Sequence, residues 1–589
     1  MAHWSESANR LGQRRREVSS LEELTHIRSA APSVWALLLP FDPCYRCSSP
    51  EDWTHRISDF IRGIHTGSTI ALLMSPYDAA ALLPKLEGEC RFQLWVAVKL
   101  KQPVARAGHL PLHHAALLIL TKYNASLRHT KTRIAYAYCP SCERTAKDYG
   151  GKKHTYHEYG TLMSDVWRDV SCEPTDFPKE VVFRLRDVFG LAPYKQVNVI
   201  DLRSALSCHP TVENADHPVE GSAVSTTLPQ PMRNKLINED CLKTLSNIPS
   251  NSIDFCFADP PYNLSKRYDR WDDSLDIVRY FEWCDTWISE LARVLKPSRT
   301  CAILNIPLWA VRHFTHMRTI LNYQDWIVWE GLSLPVRMIM PAHYSIVCFS
   351  KGPARPVPSV TTPNLSPEEI GALTCDKEFY CRRADCVRTR RLLREDDTAR
   401  ITDLWWDIHR LKHNSRRTDH PCQLPPDLMR RIIALFTEQR ECVLDPFNGA
   451  GTTTLCAEQM RRDFIGIELS PQYHELALRR HEDLRKGTDP FRKTARVPRA
   501  KNSRVQRLKK QKYQVSKKTL QLEVKRIAKE IGKLPSRDEV ARLSPYPIAY
   551  FDDYFVSWGE VCAAARSTGM KEFKHERRAA KQIEQRTLF

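Results

Sequence analysis

No segment of this 589-residue chain approaches the ~18 consecutive apolar residues that a membrane-spanning helix needs. The apolar run nearest the start, Val34 to Leu39, is very short, and the Arg-rich beginning (Arg10, Arg14, Arg15, Arg16) leads into Ser and Glu. A secretory leader is therefore not expected. Without one, the 19 cysteines point to a reducing, cytoplasmic setting in which most thiols are free and buried. Acid is also in short supply: 69 Asp and Glu stand against 88 Lys and Arg, a net charge of +19. A surplus of that size suggests a polyanionic partner, since Lys and Arg displace counterions from phosphates. What is present describes a folded protein, with 42% hydrophobic residues and 9% aromatics. The length is too great for one core and suggests three or four domains.

The chain reads as a duplication. In Ser252–Gly352 an apolar strand, Ile253 to Ala258, meets Asp259-Pro260-Pro261-Tyr262. A helical pattern through Trp283, Trp287, Leu291 and Leu295 follows, then strands at Ala302–Leu304 and around Trp326–Trp329, then Met340-Pro341-Ala342-His343 and the strand Ser345–Phe349. The N-terminal stretch repeats this grammar: the strand Val34–Leu39, Phe41-Asp42-Pro43-Cys44-Tyr45, a helix with Trp53 and Phe60, the strands Ser68–Met74 and Phe92–Val98, Leu110-Pro111-Leu112-His113, and the strand Ala115–Leu120. Asp165-Val166-Trp167 mirrors Asp403-Leu404-Trp405, and Phe177-Pro178 mirrors Leu424-Pro425. The halves then diverge. The second runs through Asp445-Pro446-Phe447-Asn448-Gly449-Ala450-Gly451-Thr452 into a helix and the strand Phe464–Glu468, whereas the first has Val199-Ile200-Asp201-Leu202 and no glycine loop. With Cys44 also interrupting its proline pair, the first copy is expected to be degenerate.

Asp259 to Tyr262 follows a buried strand and so belongs at the carboxyl edge of a sheet, where α/β folds bind ligands. An exocyclic base amine is a poor nucleophile because its lone pair is delocalised into the ring. Asp259 and the Pro260 carbonyl can accept its two N–H hydrogens, favouring a pyramidal nitrogen. The prolines stiffen the turn and remove competing donors, and Tyr262 offers a face to a base extruded from the duplex. A proline-stiffened turn ending a strand is the plain alternative. The second element favours the chemical reading. Phe447 to Gly451 follows a strand and opens a helix, with two glycines that admit close backbone approach, and Glu468 ends the next strand where it could accept from ribose hydroxyls. The loop lacks the lysine of a P-loop, which argues against a nucleoside triphosphatase.

With these motifs in this order, Leu236 to Arg480 resembles the β-class of N6-adenine and N4-cytosine DNA methyltransferases. The resemblance implies a Rossmann-like α/β fold, which the duplication would present twice, and S-adenosylmethionine as cofactor. It places Asp259, Pro260, Pro261 and Tyr262 in catalysis and Asp240, His420, Gln423, Asp445, Phe447, Gly449, Gly451, Thr452 and Glu468 around the cofactor. Asp before Pro-Pro-Tyr favours adenine N6 in duplex DNA over cytosine N4. A variable recognition segment is expected at about 353–417, dense in base from Arg382 to Arg394 and from His409 to Arg417. Since many family members are dimers, the first copy is expected to serve as a built-in partner. The setting implied is a bacterial or phage modification system, nucleoid-associated, with a restriction endonuclease as a conceivable partner. A non-catalytic DNA-binding protein is the alternative from another class. A nuclease finds no convincing carboxylate cluster to support it.

The expected domains are a degenerate copy at 1–205, a linker at 206–232, the catalytic copy at 233–484, a basic linker at 485–513, a helical module at 514–566 and a basic tail at 567–589. The basic linker carries twelve Lys or Arg and one acid, Asp489, which suits a nucleic-acid arm. The helical module, with Leu520, Val524, Ile527 and Ile531 at helical spacing, resembles the small repeats associated with homing endonucleases, so a DNA-binding all-α module is expected. Cys139-Pro140-Ser141-Cys142, with His154 and His157, has the ligand types of a structural zinc site. The plain reading is a loop with two free thiols and surface histidines.

Overall fold

The computed structural model describes residues 13–29, 31–41, 50–122, 127, 132–136, 138–139, 142–145, 160–189, 191, 197–206, 225–264, 274–331, 342–377, 381, 383–393, 398–409, 423–491, 515, 517–555 and 557–566. Asp42 to Tyr45, His154, His157, His420, most of the basic linker and the basic tail lie outside them. The chain forms two compact units, one of Met1–Thr132 and Leu162–Pro498, the other of Arg133–Thr161 and Arg499–Leu588.

The first unit holds two large mixed sheets. One has the order Gln13–Glu17, Val197–Asp201, Val34–Leu38, Thr69–Met74, Leu112–Lys122, Cys90–Val104, Val166–Cys172. The other runs Lys235–Ile237, Asp463–Ile467, Cys442–Asp445, Ile253–Ala258, Leu295–Asn305, His343–Ser350, Asn322–Glu330, Leu404–Trp405. From Val197–Asp201 and Cys442–Asp445 onward, six successive strands agree in order and in direction. The sheets part company beyond these strands. The second has the strand Asp463–Ile467 between Cys442–Asp445 and its edge, while in the first Gln13–Glu17 pairs directly with Val197–Asp201.

Burial on both faces explains the continuous apolar runs. Every residue of Ile253–Ala258 is buried, as is every residue of Leu112–Lys122. Helix Ile277–Val294 starts at Asp276, whose carboxylate accepts the N–H groups of Val278 and Arg279. It turns Tyr280, Phe281, Cys284, Trp287, Ile288 and Leu291 inward at the three-and-four spacing of a helix that covers a sheet.

The two sheets share one apolar core. Trp95 and Trp326, at equivalent strand positions, stack face to face with centroids 4.7 Å apart and planes 4° apart. Tyr77 packs edge-on against Phe314 and Tyr323, and Arg106 pairs with the fully buried Asp325. Two aspartates cross the junction in opposite directions. Asp165 accepts from the N–H groups of Ala342 (2.8 Å) and His343 (3.2 Å), and Asp403 accepts from the N–H of His113 (2.7 Å). Each also lies against a histidine Nδ1, Asp165 at 3.1 Å from His343 and Asp403 at 3.0 Å from His114. In strand register His343, paired with Glu330, corresponds to His114, paired with Lys99, one place from the His113 that the sequence pattern matches with it. Adjacent histidines at 113 and 114 made that step invisible in the sequence.

In the second unit, helices Lys517–Ile531, Arg537–Leu543, Ile548–Tyr554, Trp558–Val561 and Ala563–Arg566 surround Leu520, Val524, Ile527, Val540 and Phe551. Ser536 and Glu539 form a reciprocal capping box at the start of Arg537–Leu543. A separate two-stranded ribbon, Tyr138–Cys139 with Arg144–Thr145, carries Cys139 and Cys142.

Candidate active site

Strands Ile253–Ala258 and Cys442–Asp445 are parallel neighbours, so their carboxyl ends open at one sheet edge. The turn after the first is held by three hydrogen bonds. Tyr280 donates its hydroxyl to the Pro261 carbonyl (2.6 Å), Trp309 donates its indole N–H to the Tyr262 carbonyl (2.8 Å), and the Tyr262 hydroxyl donates to Asp259 Oδ1 (2.8 Å). With two prolines between, Asp259 is presented by a turn that has little freedom to relax.

The loop after the second strand depends on left-handed backbone. Gly449 and Gly451 have φ of +50° and +81°. Gly451 caps helix Thr452–Gln459, and a Cβ there would lie 3.0 Å from that of Ala477. Asn448 donates its backbone N–H to Ile467 (2.9 Å) and accepts on Oδ1 from Thr454 (3.0 Å). Gly466 makes room for it, since a Cβ there would come within 2.7 Å of the Asn448 side chain. Glu468 braces the loop from the next strand, one carboxylate oxygen accepting from the Gly449 N–H and the other from Ser470, each at 2.8 Å. The sequence pattern directs this acid at ribose hydroxyls; the structure shows it also tied to the loop's own backbone. Asp240 likewise has a structural task, accepting from the N–H groups of Leu242 and Lys243 at the start of helix Cys241–Ser246.

Turn and loop face one cleft that encloses about 1040 Å³, its open mouth included. Asp240, Asp259, Pro260, Pro261, Tyr262, Gln423, Asp445, Phe447, Gly449, Thr452 and Glu468 all line it. Gly451 shapes the loop from beneath. Trp283 and Tyr473 also line the cleft. Trp283 had read only as one turn of a core helix, yet its ring lies 5.6 Å from that of Phe447, giving the cleft a second aromatic wall.

Five carboxylates (Glu239, Asp240, Asp259, Asp445, Glu468) and no Lys, Arg or His line the cleft among the described residues. Such a lining repels phosphate and suits a cation with a flat apolar part. Burial, reinforced by the charges of Asp259 and Glu468, pushes the Asp445 carboxyl up to about 7, although Thr453 and the Phe447 N–H partly stabilise its anion. The first sheet carries basic groups at the corresponding strand end. Asp201, the last residue of its strand as Asp445 is of Cys442–Asp445, is gripped by Arg203 (2.8 Å) and Arg15 (3.1 Å), and Arg15 lies 4.5 Å over the Phe177 ring. Burial there opposes ionisation, but the Arg203 guanidinium prevails and holds Asp201 below its usual range.

Residues 253–479 match the family model described as DNA methylase. Type II methyltransferase M.BamHI of Bacillus amyloliquefaciens is 33% identical over 240 residues, 40% of this chain and 54% of the relative, so the chain spans about half that relative's length. Type II methyltransferase M.HpaI of Haemophilus parainfluenzae is 30% identical over 267 residues, 44% of this chain and 77% of the relative. DNA adenine methyltransferase YhdJ of Escherichia coli (strain K12) is 28% identical over 247 residues, 42% of this chain and 81% of the relative.

Proposed function

The chain belongs to the DNA methylase family, and from that premise we propose that it transfers a methyl group from S-adenosylmethionine to the N6 amine of adenine in duplex DNA. The observation that carries this reading is the acid-lined cleft in which the Asp259–Tyr262 turn faces the glycine loop. The cleft fits the cofactor: carboxylates, with no cation among the described lining residues, suit its ammonium and sulfonium groups, Trp283 and Phe447 suit a planar base, and Gly449 admits close approach. When bound, S-adenosylmethionine supplies a methyl group on a positively charged sulfur. Asp240, Gln423, Asp445, Phe447, Thr452 and Glu468 would hold it.

The chain's own part is placement. Asp259 and the Pro260 carbonyl accept the hydrogens of the target amine and turn its lone pair toward the methyl donor, while Tyr262 offers its ring to the extruded base. Alignment of this kind is worth up to about 7–11 kcal/mol when ideal. The transfer forms an N–C bond and breaks an S–C bond, and the surplus proton on nitrogen leaves through the hydrogen bond to Asp259. Nucleoside analysis of DNA incubated with the protein and cofactor tests the reading: N6-methyladenine supports it, and N4-methylcytosine replaces it with the other amine the family acts on.

The first half, on this proposal, is a degenerate copy that acts as an intramolecular partner for the second. The matched strand order, the stacked tryptophans and the pairing of Asp201 with Arg15 and Arg203 support it. The basic linker and the helical module at 514–566 would add hold on DNA, in a bacterial or phage modification system with or without a restriction endonuclease. Cys139 and Cys142 stay a zinc proposal, checked by metal analysis of the full chain and of Cys139→Ser.

A further inference from the structure

The crossed aspartates are alike in geometry and unlike in what they reach. After the pair Ala342-His343, anchored by Asp165, comes Tyr344. Its ring lies 5.3 Å from that of Trp329 and 6.3 Å from that of Tyr262, the last residue of the catalytic turn. After the pair His113-His114, anchored by Asp403, comes Ala115, which offers no ring. The first half also grips the opposing strand. Arg168 donates from Nε to Glu330 Oε2 at 2.8 Å, and Glu330 is the cross-strand partner of His343. Both strand ends beside the catalytic turn are therefore fixed by side chains of the half that has no cofactor loop.

We propose that Asp165 is a positioning residue for methyl transfer in the other half: by fixing the backbone of Ala342 and His343 it sets Tyr344 against Tyr262 and so sets the wall of the base pocket. The proposal rests on the base-pocket reading of Tyr262 given above. Asp165 is 2% exposed, so its hydrogen bonds are made away from competing water. Losing them releases the residues before Tyr344, and a misplacement of about 1 Å at a reacting centre can cost on the order of 100-fold in rate. Asp403 supplies a built-in control. It is 1% exposed, joins the same two halves with the same kind of hydrogen bonds, and anchors a strand end that leads to no catalytic turn.

The experiment compares full-length wild type, Asp165→Asn and Asp403→Asn in single-turnover transfer of labelled methyl groups to unmethylated genomic DNA. Cofactor binding by calorimetry and the thermal midpoint are measured beside it. Expected is a tenfold or greater slowing in Asp165→Asn only, with cofactor affinity within twofold of wild type and similar midpoint shifts in the two variants. Equal slowing in both, or none in Asp165→Asn, overturns the proposal. Should Asp165→Asn fail to fold, Tyr344→Leu decides: slow transfer with unchanged cofactor affinity supports the proposal, and unchanged transfer overturns it. A wild-type chain that binds cofactor yet methylates no base sinks the base-pocket reading, a failure visible before any variant is compared.

Discussion

Asp259 and Asp445 end neighbouring strands and carry opposite demands. On the proposed mechanism Asp259 accepts the hydrogens of the target amine, so Asp259→Ala should lower the rate of transfer on the order of 10³-fold while leaving cofactor binding within a few-fold, as measured by labelled-methyl transfer and calorimetry. Asp445 answers to pH. Its carboxyl sits at about 7 in the fold against an ordinary value of 3.8, so in the cofactor-free protein the folded state keeps a proton that the unfolded chain releases. That contribution to stability is fully present below about pH 4 and is lost as pH rises toward 7. Between those values the thermal midpoint of wild type should fall relative to that of Asp445→Asn. Cofactor binding runs the other way: a cation favours the ionised carboxylate, so affinity should strengthen as pH rises through 7. Calorimetry in buffers of different ionisation enthalpy would register the proton released on binding below that pH.

The glycine loop acts as an element, and its geometry makes a sharper claim than its composition. At Gly451 the left-handed φ costs any other residue about 1–2 kcal/mol, and a methyl group would meet Ala477 at 3.0 Å. Gly451→Ala should therefore weaken cofactor binding at least tenfold and lower the thermal midpoint by several degrees, measured by calorimetry and by melting. Turn, loop and the acid at Glu468 were all legible in the sequence because each follows an apolar strand and each breaks the pattern with Pro, Gly or an acid. Trp283 was not, since a tryptophan four residues before Trp287 looks like one more core position, and only the fold shows that this turn of the helix reaches the cleft. The double use of Glu468 and Asp240 was hidden for a similar reason: a carboxylate's backbone partners depend on loop conformation, which composition does not reveal. The common order of landmarks in the two halves was visible, yet the register match of His343 with His114 was not, because a one-residue shift between adjacent histidines leaves the pattern unchanged.

At the scale of the molecule, the two sheets share a core that neither closes alone. Trp326 is 1% exposed and Trp95 equally so, each against the other. A chain lacking residues 1–205 would present Trp326, Phe314 and Tyr323 to water, and it is expected to aggregate or pair with itself in size-exclusion chromatography and to lose DNA methylation. A monodisperse, fully active fragment would remove the first half from the account. The cleft of the second half is tested most directly by mass spectrometry of nucleosides from unmethylated DNA treated with the full chain and isotope-labelled S-adenosylmethionine, with Asp259→Ala alongside. Labelled N6-methyladenine from wild type and none from the variant is the predicted result. No labelled base from a wild-type chain that binds the cofactor, or equal labelling by both proteins, would contradict it.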